Sequence, residues 1–267
     1  MTGPFFSLDG EHAMRPSRGS PTGERFIPSE LTRGPWDPGA QHAGPPSALL
    51  ARALERCEPR DGMRIGRITV EILGPVPLAP LTVRVSVVRP GRSVELLEAF
   101  LTGPDGDVMR ASAWRVAVGD QSTASDPPPP GPQHGRDRDF FPTGDEQGYH
   151  TAMDYRFVHG GFLEQGPALV WMRMRGALVE GEEPSPLERL MVVADVGNGV
   201  SAVLDWREYL FINTELTVHL LRPPEGDWVG VDAVTHLDGV GLAESVLWDE
   251  RGRVGRGAQT LLVRRRA

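Results

Sequence analysis

Residues 211–263 read FINTELTVHLLRPPEGDWVGVDAVTHLDGVGLAESVLWDERGRVGRGAQTLLV. β-branched and aliphatic residues recur there at strand spacing in four runs, with turn formers between them. Glu215, Thr235, His236 and Gln259 interrupt the aliphatic runs. The stretch also has an earlier counterpart. ITVEILGP at 68–75 matches LTVHLLRP at 216–223, an offset of 216 − 68 = 148, which also sets Gly91 on Gly239 and Val94 on Leu242. DGDVMRASAWRV then aligns with RGRVGRGAQTLLV at 252 − 106 = 146. One helix followed by four strands therefore occurs twice, a period too long for a solenoid and suited to two copies of an α+β unit.

Upstream, WDPGAQHAGPPSALLARALERC (36–57) predicts a largely buried helix. Pro45 and Pro46 suit its start, Leu49, Leu50, Ala53, Leu54 and Cys57 recur at helical spacing, and EPRDG ends it. RIGRITVEILGPVP, LTVRVSVVRPG, SVELLEAFLTGPDG and DVMRASAWRVAV predict an antiparallel meander. SDPPPPGPQHG predicts a proline-stiffened linker and a domain boundary, dividing the chain into 1–119, 120–136 and 137–267. TAMDYRFVHGG and PALVWMRMRGAL predict two strands. In SPLERLMVVADVGNG, Ser185 as N-cap, Pro186 in the first turn and Glu188 as a capping-box residue predict a second helix. Residues 1–35 show no sustained period, and Phe5, Phe6, Phe26 and Ile27 predict an anchored, extended arm.

The 267 residues are 39% hydrophobic and 24% charged, with no apolar run long enough to cross a bilayer. The first residues show neither a basic leader nor an apolar signal segment, so a cytoplasmic location is expected. A lone cysteine, Cys57, forms no internal disulfide and builds no zinc site by itself. The net charge of −8 argues against nucleic acid, and the absence of lysine excludes Schiff-base and P-loop chemistry.

One helix wrapped by an antiparallel sheet and duplicated in tandem is the layout of a double hotdog. GPWDPGAQHAGPPSALLARALE, NTELTVHLLRPPEGDW and DERGRVGRGAQTLLV resemble segments of the thioesterase-like superfamily, which includes type II acyl-CoA thioesterases. The resemblance runs across residues 20 to 264. It implies an α+β tandem double hotdog forming one continuous pseudo-dimer, acting on acyl-CoA or another acyl thioester without metal or redox cofactor. It also implies a water-holding set of aspartate, threonine or serine, and glutamine, with the aspartate on the strand before an Arg-Pro pair. Glu215 stands in that place before Arg222-Pro223, the hydroxyl falls near Thr235, and the glutamine is Gln259. Donors for the oxyanion are expected near the start of the first helix. Pro45 and Pro46 have no N–H, which leaves Gly44 and Ser47, with Trp36 and His42 lining the pocket.

Other readings stay open at each position. Alternation puts Glu215 on the face of Asn213, Thr217 and His219, opposite Leu216, Val218 and Leu220, which is also how a solvent-facing residue reads. Its side chain is one methylene longer than aspartate. Thr235 suits any strand, and His236 competes with it by one step of register. Gln259 shares a face with Leu261 and Val263, so it needs buried partners. The repeat sets Ala113 opposite Gln259 and Arg67 opposite Glu215, which predicts one working pocket per chain. A G-x-S-x-G elbow, a G-x-G-x-x-G turn, paired metal-binding histidines and a dehydratase-like His and acid pair are all missing. A noncatalytic hotdog binding an acyl-CoA or hydrophobic molecule is the alternative, as is reuse of the fold in secondary metabolism. Assembly into a homo-oligomer of double hotdogs is left open.

Overall fold

The computed structural model describes residues 3–10, 23–120, 122–123, 126–140, 142–144 and 146–266. Residues 11–22 of the expected arm and 121, 124 and 125 of the expected linker lie outside them. The chain runs β1 (Phe6–Leu8), β2 (Glu24–Pro28), α1 (Gly44–Arg56), β3 (Met63–Ile72), β4 (Leu81–Arg89), β5 (Val94–Gly103) and β6 (Gly106–Ala117). It continues through α2 (Tyr149–Ala152), β7 (Met153–His159), β8 (Ala168–Met174), α3 (Pro186–Ala194) and α4 (Gly197–Val200). β9 (Tyr209–Asn213), β10 (Glu215–Leu220), β11 (Val229–Asp238), β12 (Val240–Asp249) and β13 (Gly252–Arg265) complete it.

The strands form an antiparallel sheet in the order β1-β2-β4-β5-β6-β3-β10-β13-β12-β11-β8-β7, with β9 on β13. The order mirrors itself about the β3–β10 pair, the two strands that carry ITVEILGP and LTVHLLRP. Thr69 lies directly opposite Thr217, its counterpart at the 148-residue offset, and the two hydroxyls are 3.1 Å apart. Equivalent residues facing each other place a two-fold axis between the copies.

The mirror order also revises the repeat. Each copy begins with two strands before its helix, since β1 and β2 hold the places that β7 and β8 hold in the second half. β1 is only three residues long, too short to show a period, yet Phe5, Phe6 and Phe26 are fully buried. In the proline-rich segment, Pro130 O accepts from Trp171 Nε1 at 2.8 Å, and Arg136 bridges to Phe157.

Helix α1 begins at Gly44, as the proline pair predicts, and is buried from Gly44 to Leu54 between the sheet and α3. Arg52, 1% exposed, is compensated by Glu24 of β2 and by Glu182. The N-cap of α3 is formed as expected, with Ser185 Oγ accepting from Glu188 N at 3.1 Å. Among the described residues no helix is long and apolar enough to cross a membrane.

One irregularity in the sheet sets which polar side chains face inward. FINTELTVHLL forms two strands, not one. Thr217 pairs with Ala258, but Asn213 pairs with Leu261, so four steps on this chain match three on β13. The extra residue is a bulge, which re-aims neighbouring side chains. Asn213 therefore faces inward, 9% exposed, with Leu216 and Val218.

Candidate active site

The polar groups of the interior gather where the start of α1 meets the end of α3. Asp195 follows α3 as its C-cap and is 4% exposed. Its Oδ1 accepts from Asn213 Nδ2 at 2.8 Å and from Gln259 Nε2 at 3.1 Å. Its Oδ2 lies 3.2 Å from His42 Nδ1. Burial pushes this carboxyl up to about 7, although the bonds from Asn213, Gln259 and Gly44 oppose the rise.

Gln259 is fixed at both ends of its amide. Nε2 donates to the backbone carbonyl of Asp195 at 3.0 Å as well as to Oδ1, and Oε1 accepts from Asn198 N at 3.0 Å. With donors and acceptors all assigned, only one orientation of the amide satisfies the set. Asn198 Nδ2 in turn donates to Phe211 O at 3.1 Å. Helix α4 is thereby tied to both β9 and β13.

Thr235 reaches the same helix from β11. Its row across the sheet is Thr235, Ala243 and Gln259, direct neighbours on β11, β12 and β13. Thr235 Oγ1 is 2.7 Å from Ser201 Oγ, and Ser201 Oγ donates to Gly197 O at 2.8 Å. A hydroxyl has one proton, so Ser201 spends its own on Gly197 and Thr235 must donate to Ser201. The lone pairs of Thr235 Oγ1 are left as acceptors.

The start of α1 closes the cluster. A Cβ on Gly44 would stand 2.4 Å from Val192 O, so only glycine lets the two helices approach this closely. Gly44 N donates to His42 Nδ1 at 3.0 Å. His42 stacks on Tyr149 with ring centroids 3.8 Å apart and planes 9° apart, and Tyr149 OH donates to Val192 O at 2.9 Å. Burial lowers the His42 imidazole to about 3, so it is neutral at physiological pH.

Glu215 is not in this cluster. Thr260 N and Thr217 Oγ1 donate to its carboxylate at 2.8 and 2.9 Å, and Thr260 is exposed on the face opposite Gln259. The bulge separates it from Asn213, with which simple alternation had grouped it. The expected oxyanion donors are also engaged, because Gly44 N serves His42 and Ser47 N bonds Ala43 O. The Ser47 hydroxyl is buried without a partner among the described residues. Trp36 packs edge-on against Phe211, 4.9 Å away, at the outer side of the site. His236 is exposed. We expect Glu215→Gln to keep thioesterase turnover close to that of wild type, because its carboxylate touches Thr260 and Thr217 and none of the groups around Asp195.

Beside Thr235 and Asn198, the apolar side chains of Val203, Leu204, Phe211, Leu237 and Leu261 bound a cavity of about 10 Å³. That is room for about one water. Among the described residues no cluster of three His, Cys, Asp or Glu side chains is placed to hold a metal ion.

Two family models match the sequence, one described as the acyl-CoA thioesterase N-terminal domain over residues 32–116 and the other as the acyl-CoA thioesterase C-terminal domain over 123–263. The chain belongs to the acyl-CoA thioesterase family. A comparison with curated proteins gave no match. Among solved structures, a candidate thioesterase II of Thermobifida fusca is 19% identical with a TM-score of 0.71, covering 98% of each chain. A hot dog fold protein of unknown function from Alicyclobacillus acidocaldarius is 15% identical, TM-score 0.69, over 96% of this chain and 97% of its own. An acyl-CoA thioesterase II of Mycobacterium marinum is also 15% identical, TM-score 0.65, over 94% and 96%. At these identities the structures establish a hotdog fold. Asp195, Asn213 and Ser201 were missed in the sequence. The usable signal was DVGNG directly after α3, where a helix with a continuous apolar stripe runs into an acid and small residues.

Proposed function

We propose that this thioesterase is a tandem double hotdog that hydrolyses an acyl-CoA thioester with water activated at Asp195. The observation that carries it is the buried Asp195 carboxyl near pH 7, held by Asn213 and Gln259 beside the neutral His42. A base poised at the working pH is what proton transfer from water requires. Asp195 replaces Glu215 in the expected set, and Gln259 and Thr235 keep their places. The halves divide at the proline-rich segment, as 1–119 and 137–267.

In the proposed cycle, the water gives one proton to Asp195 and its second hydrogen rests on the free lone pairs of Thr235. Its oxygen bonds to the thioester carbonyl carbon, and the C=O π pair moves to oxygen. Collapse of that oxyanion expels the CoA thiolate, which recovers the proton from Asp195. The acyl group lies against Val203, Leu204, Leu237 and Leu261, whose cavity must widen to admit it. Ala113, the repeat counterpart of Gln259, and Ile65, that of Asn213 (213 − 148 = 65), are buried and apolar, which favours one working site per chain.

Release of free CoA from a panel of acyl-CoAs tests this reading. Turnover no greater than that of a Gln259→Ala control, despite measurable binding, would leave a noncatalytic binding protein. The pH dependence gives a second check. Activity needs the carboxylate, so kcat/KM should rise with pH through an inflection near 7. Stability should run the other way. With its folded value raised from 3.8 to about 7, Asp195 holds a proton in the folded chain that the unfolded chain has released. Its contribution is fully favourable below about pH 4, declines as pH rises towards 7, and is flat above that. Thermal melts of wild type against Asp195→Asn across pH 4–8 isolate this difference.

A further inference from the structure

Strands β9 and β13 leave the site side by side, from Asn213 and Gln259 to the pair Tyr209 and Arg265. Three arginines gather at that outer end. Arg266 lies over the Trp36 ring at 5.7 Å, Arg265 over Tyr209 at 5.8 Å and Arg207 over Trp206 at 5.5 Å. Two acids accompany them: Glu208 is 3.2 Å from Arg265, and Asp205 is 3.7 Å from Arg207. Arg266 has no carboxylate partner among the described residues. Arg266 is nevertheless held in place, by Nε to Trp206 O at 2.8 Å and by its backbone N to Glu208 O at 2.7 Å. In a chain of net charge −8, positive charge anchored on indole rings beside the site is a feature the hydrolytic groups do not explain.

We propose that this patch docks the phosphorylated nucleotide end of CoA, with Arg207 and Arg266, which meet at Trp206, on its phosphates and an indole face of Trp36 or Trp206 against adenine. The proposal rests on the acyl-CoA hydrolase reading. Three observations support it together. Guanidinium groups pair with phosphate through two parallel N–H donors and stack on aromatic faces, so the composition suits a phosphorylated nucleoside. The patch adjoins the site, because Trp36 touches Phe211, whose carbonyl holds Asn198. The span also fits: six strand residues from Gln259 to Arg265 cover roughly 20 Å, comparable to an extended pantetheine arm. A thioester at Asp195 would thus leave its nucleotide end at the arginines.

The test takes the acyl group best hydrolysed in the panel and offers it on CoA, on dephospho-CoA and on pantetheine alone. Wild type should favour the CoA form over the pantetheine form at least tenfold in kcat/KM. The Arg207→Ser/Arg266→Ser variant should lose that preference, chiefly through KM, and should show a shallower fall of activity with salt. A Lys pair at the same positions should recover part of it. The proposal is overturned if the variant keeps the wild-type preference, or if it loses activity only towards an acyl group carried on acyl carrier protein. If wild type hydrolyses no thioester, the hydrolytic reading fails separately, and calorimetry with free CoA decides the dock. Binding at least tenfold tighter in wild type than in the variant supports it, and equal binding overturns it.

Discussion

Asp195→Asn should lower kcat for acyl-CoA hydrolysis by roughly 10²–10⁴-fold, the range typical of removing a general base, while its melting temperature at pH 8 stays at or above that of wild type. The two halves of this expectation have one cause. Above pH 7 the wild-type chain keeps a desolvated carboxylate that burial disfavours. The amide is neutral and fits the same partners. Its Oδ1 still accepts from Asn213 and Gln259, and its Nδ2 replaces the oxygen that in wild type faces His42 Nδ1, another acceptor, across 3.2 Å. The substitution therefore removes the proposed base and relieves the site at once, as expected where activity depends on a destabilising group. Kinetics and thermal melts at pH 8 check both halves. Residual kcat above a tenth of wild type would remove Asp195 from the chemistry, and a fall of many degrees would mean that its charge holds the fold together.

The fold was legible where the repeat was legible. Thr69 opposite Thr217 is the geometric form of the 148-residue offset read from ITVEILGP and LTVHLLRP, and α1 and α3 start where their prolines and Ser185 predict. β1 and β2 escaped because a three-residue strand carries no period and its phenylalanines show their role only once packed. The site was half legible. Gln259 announced itself as an amide on an aliphatic face, and Thr235 sits two strands away in the same row. Asp195 did not, because an acid just after a helix reads equally as a surface C-cap. Its burial depends on α1 arriving across the sequence at Gly44. Glu215 was misplaced for a local reason, since alternation counts residues and a bulge adds one.

Gln259→Ala should lower kcat by about 10²-fold, because the Asp195 carboxyl loses a group that positions it, and the melting temperature by roughly 6–12 °C, the shift for about 3 kcal/mol in a chain of this size. The truncation takes a partner from Asp195 O and Asn198 N and leaves Asp195 Oδ1 with Asn213 alone. Each buried polar group left unpaired costs on the order of 1–3 kcal/mol, and water entering the space recovers part of it. The stability loss alone would also follow from a purely structural glutamine, so Gln259→Glu separates the roles. A glutamate keeps an acceptor for Asn198 N but sets a second carboxyl within hydrogen-bond distance of Asp195. Like charges that close cannot both ionise easily, so the inflection in kcat/KM should move above pH 7 by one unit or more. If the Gln259→Glu enzyme is active with its inflection unmoved, Asp195 is not the titrating base. If the inflection moves and activity returns at high pH, the role of Gln259 is to hold the Asp195 carboxyl, with α4 tied to the same amide.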